Sequence, residues 1–136
     1  MALKPVSKGA AVVACSTCRY AAEQRTDAVG MAGGARLVEA LRRVRESDPG
    51  YDAVAVQEMP CLFACQDFCA VHLRAPGKIG YVLGRFTPSE HSARAILDYA
   101  VRYAASEIGQ VPYRDWPEGV KDHFLTRTPP AGFVVE

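Results

Sequence analysis

The sequence lacks a long hydrophobic run. The longest apolar stretch near its start, residues 10–15, is far too short to cross a bilayer or to form the core of a secretion signal. We therefore expect a cytoplasmic protein, in a compartment where thiols stay reduced. The sequence also lacks an excess of one charge, because 16 Lys and Arg against 15 Asp and Glu give a net charge of +1. That balance gives no indication of nucleic-acid binding or of an anionic membrane surface.

The chain has only five cysteines in 136 residues, and none lies outside two clusters. The clusters are formed by Cys15 and Cys18 and by Cys61, Cys65 and Cys69. An odd number excludes a fully paired disulfide framework. Since thiols stay reduced in the expected compartment, the clustering indicates metal or redox chemistry. The alternative, that some of these cysteines only pack like small apolar residues, stays open.

Length and composition predict one domain over residues 1–136, with a sizeable core. Residues 1–9 are polar and are expected to form a loose arm. Residues 110–136 contain four prolines together with aromatic residues. This segment is predicted to be an irregular tail that packs on the domain. The three glycines in residues 21–34 match neither a P-loop nor a dinucleotide-binding pattern, so a flexible connection is expected there.

Four short apolar stretches predict β-strands, at residues 10–14, 52–57, 70–74 and 79–83. Ala75-Pro-Gly-Lys78 predicts a tight turn that makes the last two strands antiparallel. An amphipathic pattern over residues 35–46 predicts a helix between the first two strands. A connection of that kind makes those two strands parallel.

A second helix is predicted to begin with the capping box Thr87-Pro-Ser-Glu90. In that interpretation Thr87 is the N-cap, Pro88 is the first helical residue, and the helix ends near Ile108 before Gly109. This order of elements resembles the thioredoxin fold. The predicted fold is therefore α/β: a single thioredoxin-like domain with a mixed four-stranded sheet, two main helices and an irregular C-terminal tail.

Both cysteine clusters follow strands that are predicted to run in the same direction. They should therefore meet at one edge of the sheet, with the sulfurs of Cys15 and Cys65 within about 10 Å of each other. Pro60 suits the first position of a helical turn, which would place Cys61 and Cys65 on one face. Cys69 begins the third strand, so it is a spare ligand, a replacement for Cys18 or a packed residue.

The element order, the early cysteine after a first strand and the later Cys61-Leu-Phe-Ala-Cys65 resemble the thioredoxin-like 2Fe-2S ferredoxins. The resemblance implies a 2Fe-2S cluster, and Cys15, Cys61 and Cys65 match the ligand positions of that family. The family's second ligand lies farther along the chain than Cys18, where this sequence has no cysteine. Cys18 is therefore the upstream substitute, and homodimerisation is an expectation of the resemblance alone.

The chain resembles more closely a bacterial family of predicted metal-binding proteins of unknown function. The shared features cover nearly the whole chain: Cys15-x-x-Cys18-Arg19, Cys61-Leu-x-x-Cys65-x-x-x-Cys69, Ala75-Pro-Gly-Lys78, Tyr81-Val-x-Gly84, Val111-Pro-Tyr113 and Arg127-x-Pro-Pro130. This resemblance implies metal or cluster binding and does not supply a reaction.

Three functional hypotheses follow. The first is a 2Fe-2S electron carrier, without enzymatic activity of its own, with Cys15, Cys18, Cys61 and Cys65 as cluster ligands and an unidentified redox partner. The second is a site for zinc or another metal, or a metal-delivery protein, to which Cys69 is an additional candidate ligand. The third is a thiol–disulfide oxidoreductase, because Cys15-x-x-Cys18 ends a strand in a βαβ context.

Overall fold

A computed structural model describes all residues from 1 to 136. Five strands and two helices form its regular structure: β1 (Ala11–Cys15), α1 (Gly33–Ser47), β2 (Ala55–Met59), β3 (Val71–Arg74), β4 (Gly80–Leu83), α2 (Glu90–Ala105) and β5 (Phe124–Thr128). Short 3-10 turns lie at Pro49–Tyr51, Cys65–Asp67, Tyr113–Asp115 and Glu118–Val120. Neither helix is both long and apolar enough to cross a membrane.

The strands form one sheet in the order β2-β1-β3-β4-β5. β1 pairs with β2 in parallel and β3 with β4 antiparallel, as the sequence predicted, and the β1–β3 and β4–β5 pairs are also antiparallel. Every residue of β1 is buried, and α1 and α2 contact both this central strand and each other. The core therefore lies between the sheet and the two helices.

The sheet has five strands, so the prediction of four strands and a wholly irregular tail was wrong. β5 lies within the predicted tail and pairs with β4, with an irregularity between Val82 and Leu83. The Phe124 ring anchors it, with its centroid 4.5 Å from that of Trp116, 5.3 Å from Tyr99 and 5.5 Å from Tyr81. These contacts are tertiary, and the prolines that follow β5 concealed it from a local interpretation of the sequence.

Both helices exist, but their ends differ from the prediction. The N-cap of α2 is Ser89, whose hydroxyl accepts a hydrogen bond from the backbone N–H of Ser92 at 3.2 Å, and not Thr87. The helix ends at Ala105, because the extended backbone of Ser106 stops it before Ile108. In α1, the predicted apolar stripe faces the core and consists of Leu37, Val38, Leu41 and Val44.

Gly33 and Gly34 begin α1, so this end of the predicted flexible connection is ordered and closely packed. The Gly34 N–H donates to the Cys18 carbonyl at 3.0 Å. A Cβ atom on Gly34 would lie 1.9 Å from the Cys15 carbonyl oxygen and 2.9 Å from the Cys18 nitrogen. Only glycine lets the start of α1 approach the segment that carries the first cysteine cluster.

We expect Gly34→Ala to destabilise the protein by about 3 kcal/mol, because backbone atoms must move to admit the added carbon. Chemical denaturation followed by circular dichroism measures this. Gly9→Ala is the matched control, since a Cβ atom there meets nothing within 4 Å. Equal unfolding free energies for the two variants would contradict the prediction.

Candidate cysteine-cluster site

The two cysteine clusters lie at the edge of the sheet where β1 and β2 end. Cys15 is paired in register with Met59, and the Ser16 N–H donates to the Met59 carbonyl at 3.0 Å. The Cys15 N–H donates to the Ala70 carbonyl, also at 3.0 Å. Cys15 therefore lies beside both the end of β2 and the residue that precedes β3.

Cys61 and Cys65 form the exposed part of the site, with their sulfurs 3.7 Å apart. The predicted helical turn from Pro60 is wrong, because Cys61 and Phe63 have φ values of +61° and +59°, which a right-handed helix does not permit. A 3-10 turn begins only at Cys65. The loop is instead shaped around the Cys61 sulfur, which accepts a hydrogen bond from the Phe63 N–H at 3.4 Å.

Cys15 and Cys18 form the buried part of the site and are only 3% and 6% exposed. The Cys18 thiol, acting as a proton donor towards the Cys15 sulfur, lowers the pKa of Cys15 to about 5. The same interaction, together with burial, raises the pKa of Cys18 far above its ordinary value. Cys15 therefore loses its proton well before Cys18 does.

The structure brings the buried and exposed pairs together. Leu62 and Ala64, from the loop between Cys61 and Cys65, pack against the small cluster of Cys15, Cys18 and Ala70. The backbone N–H of Leu62 also contributes to the low pKa of Cys15. The pKa of Cys65 is raised, first by its contact with Cys61, and the charge of Cys15 adds to this effect.

Cys69 packs in the main hydrophobic core and not in the small cluster of Cys15, Cys18 and Ala70. It is fully buried, and its thiol donates to the Arg19 carbonyl at 3.3 Å. Burial raises the pKa of Cys69 to about 12. A thiolate at this position would face a carbonyl oxygen, so the surroundings of Cys69 favour the protonated thiol.

Cys61 and Cys65 have the spacing of metal-bound thiolates, and three of the four sulfurs other than Cys69 have backbone hydrogen-bond donors. A tetrahedral ion with metal–sulfur bonds of about 2.3 Å holds two thiolates about 3.8 Å apart, which agrees with the Cys61–Cys65 distance of 3.7 Å. Backbone N–H groups act on three of the sulfurs: those of Thr17 and Leu62 on Cys15, of Ala70 on Cys18 and of Phe63 on Cys61. Such donors stabilise the negative charge of thiolate ligands. No three His, Cys, Asp or Glu side chains are arranged to hold a single ion.

An ion pair holds the exposed pair against the sheet, and sequence reasoning missed it. Asp67 ends the 3-10 turn that begins at Cys65, and its carboxylate accepts a hydrogen bond from the Arg85 Nε at 2.6 Å. Arg85 has a φ of +64°, and its N–H donates to the Phe68 carbonyl at 2.7 Å. A Cβ atom on Gly84 would lie 2.5 Å from the Asp67 carbonyl, so this position requires glycine. The conspicuous Tyr81-Val-x-Gly84 segment was the available signal.

The low pKa of Cys15 predicts that the metal-free protein has a first titration step at acid pH. We expect about one thiolate per chain to form as the pH rises through 5, because Cys15 ionises well below an ordinary thiol near 8.5. Ultraviolet thiolate absorbance as a function of pH measures this step. Cys15→Ser should remove it, whereas Cys69→Ser should leave it in place, since burial keeps Cys69 protonated until about pH 12. An acid step that survives Cys15→Ser would contradict the prediction.

Comparison with known proteins gives one family and one fold. A family model described as a protein of unknown function, DUF1636, matches residues 12–130. No curated protein matches the chain. Among solved structures, a thioredoxin-like 2Fe-2S ferredoxin from Aquifex aeolicus is similar with a TM-score of 0.56 and 16% sequence identity. The match covers 94% of this chain and 100% of that chain. It confirms the predicted thioredoxin-like fold.

Proposed function

Because the chain belongs to the DUF1636 family of proteins of unknown function, matched over residues 12–130, its activity must be inferred from its own cysteine site, and we propose that it binds a 2Fe-2S cluster and carries electrons. The observation that carries this proposal is the pair of thiols at 3.7 Å, Cys61 and Cys65, facing the Cys15–Cys18 pair. A 2Fe-2S cluster takes two thiolates on each iron. The similar solved structure is itself described as a 2Fe-2S ferredoxin.

When bound, the cluster would supply one-electron chemistry. The chain's own contribution is to hold Cys15 and Cys18 in a buried position while Cys65 stays exposed. Backbone donors to the sulfurs and the shielding by Leu62 and Ala64 would tune the potential. Because the Cys65 sulfur is exposed, an electron would pass between the bound cluster and a partner through only a short distance of protein. This role suits a reducing cytoplasm, where the free thiols remain available.

Zinc is the alternative occupant, because four thiolates also suit a tetrahedral zinc ion. Thiol–disulfide exchange is less well supported, since it needs an accessible attacking sulfur. Cys15 and Cys18, the pair with the motif for that reaction, are both buried.

The test is the composition and the absorption spectrum of anaerobically purified protein. We expect visible absorbance with about two iron and two sulfide per chain. Zinc bound without sulfide would replace the proposal with the metal-site alternative. A protein that binds neither group, even after reconstitution, would overturn both.

We expect Arg85→Asn to speed the loss of the cluster to a chelator by about tenfold, because outer contacts of metal ligands typically carry that much affinity. Asparagine tolerates the positive φ, so the variant removes the ion pair with Asp67 and keeps the backbone. The decay of the visible absorbance measures the rate. Arg94→Asn breaks another exposed ion pair, with Glu90, and should change it little. Equal rates for the two variants would show that the Asp67 contact does not hold the site.

A further inference from the structure

Exposed apolar side chains lie in the chain segment that leads to the accessible thiol of Cys65. Phe63 is 94% exposed and Met59 is 42% exposed, and both lie in the segment from residue 59 to residue 65 that ends at exposed Cys65. We call Met59, Pro60 and Phe63 the loop patch. Large apolar side chains that are fully exposed beside a functional group commonly mark an interaction site.

The loop's own contacts and backbone conformation hold the Phe63 side chain in solvent. Its neighbours Leu62 and Ala64 pack inward against Cys15 and Cys18, while its own N–H donates to the Cys61 sulfur. The φ of +59° is unfavourable for a bulky residue and persists only where the surroundings impose it. The fold therefore holds an aromatic ring in water, next to the exposed thiol of the proposed site.

We infer that the loop patch is the docking surface for a redox protein that presents an apolar socket with carboxylates at its rim. This inference rests on the proposed function, because it places electron exchange at Cys65. A stable dimer needs about 800 Å² and 20–30 residues from each partner, which one short loop does not supply. Small interfaces are typical of transient electron-transfer encounters, so the occupant is such a partner and not a second copy of this chain.

The charges near the loop patch indicate that the partner carries carboxylates at the rim of its binding surface. Arg19 is exposed, forms no ion pair and makes only a 3.3 Å bond to the Ala22 carbonyl. Arg19 follows Cys18 directly, and its carbonyl accepts the hydrogen bond of the Cys69 thiol, so it lies at the cysteine site. Arg42 and Arg85, in contrast, are paired with Glu58 and Asp67. Arg19 thus offsets the negative charge of bound thiolates and offers a free guanidinium to a carboxylate.

The experiment uses the cluster-loaded protein, with its iron content checked, and the soluble domain of cytochrome b5 as an acidic redox probe. One electron passes from dithionite-reduced protein to the ferric haem, and stopped-flow absorbance gives the second-order rate constant. Ferricyanide, which needs no docking surface, is the reference oxidant. Phe63→Asn removes the ring and tolerates the positive φ, and Phe133→Asn removes another exposed ring, 70% exposed, from the C-terminal tail.

We expect Phe63→Asn to lower the rate constant with the haem protein about tenfold, as the loss of an aromatic anchor does. Its rate with ferricyanide and both rates of Phe133→Asn should stay unchanged. Arg19→Gln should slow the haem reaction several-fold at low salt but not at high salt, whereas Arg43→Gln should not. Binding itself is followed by fluorine NMR after fluorophenylalanine labelling: of the five Phe signals, that of Phe63 should shift with the probe and that of Phe133 should not.

Two results together would overturn the docking surface and leave the proposed function standing: an unchanged haem reaction in loaded Phe63→Asn protein, and a Phe63 signal of the unaltered protein that does not shift with the probe. Equal slowing with ferricyanide would also overturn it, because the ring would then act on the cluster and not on the partner. A faster haem reaction in Arg19→Gln would exclude an acidic partner. If the protein binds no iron and sulfide even after reconstitution, the proposed function is wrong, and the docking surface, which rests on it, is wrong as well.

Discussion

Cys61→Ser and Cys65→Ser are each expected to lose more than about nine tenths of the bound iron and of the visible absorbance after identical reconstitution. A residue that itself binds the metal contributes more than the tenfold typical of its outer contacts. The sulfurs lie 3.7 Å apart, so each variant would remove one of the two thiolates that this loop can offer to the proposed cluster. Cys15→Ser should have the same result, since Cys15 is the more readily ionised thiol of the buried pair. Iron analysis and absorption spectra measure the effect.

Gln66→Ala is the matched control for these variants, because Gln66 is exposed and lies in the same turn as Cys65. It should bind iron as the unaltered protein does. Circular dichroism should show each cysteine variant to be folded, since Cys61 and Cys65 lie outside the hydrophobic core. A folded Cys65→Ser protein with full iron content would remove Cys65 from the proposed ligand set.

The strands and helices that meet the core were predictable from the sequence, because their apolar periodicity records which side is buried. The stripe of α1 and the buried run of β1 are examples, and both are observed. The meeting of the two cysteine clusters also followed from local patterns, since parallel strands end at the same edge. Where the local sequence pattern and the tertiary contacts favour the same structure, the sequence alone is sufficient to predict that structure.

The sequence-based predictions failed where left-handed backbone conformations or contacts between residues far apart in sequence determine the local structure. A spacing of four between Cys61 and Cys65 indicates a helical turn, yet left-handed Cys61 and Phe63 bring the sulfurs together without one. Phe124 begins a strand because rings from β4, α2 and the tail surround it. The Asp67–Arg85 ion pair joins residues 18 apart in sequence, and no short pattern specifies it.

The structure favours Cys18 over Cys69 as the fourth ligand of the proposed cluster, a choice that the sequence left open. By sequence, Cys18 and Cys69 were both available. In the structure Cys18 packs with Cys15, and the Ala70 N–H acts on its sulfur. Cys69 lies in the main core and donates its proton to the Arg19 carbonyl. A Cys18 thiolate would keep the Ala70 N–H as a donor, whereas a Cys69 thiolate would lose its hydrogen bond to the Arg19 carbonyl.

We therefore expect Cys18→Ser to lower the cluster content at least about tenfold, whereas Cys69→Ser keeps nearly all of it. Serine at position 69 retains a hydroxyl that can donate to the Arg19 carbonyl, so its cost should appear in stability, at about 1 kcal/mol from burying a more polar group. Iron and sulfide per chain, measured beside urea denaturation of the same samples, separate the two effects. Cys69→Ala, which removes the donor altogether, should also keep its iron. If Cys69→Ser loses the chromophore while Cys18→Ser retains it, Cys69 is the fourth ligand, and the buried segment around Arg19 must rearrange to admit the cluster.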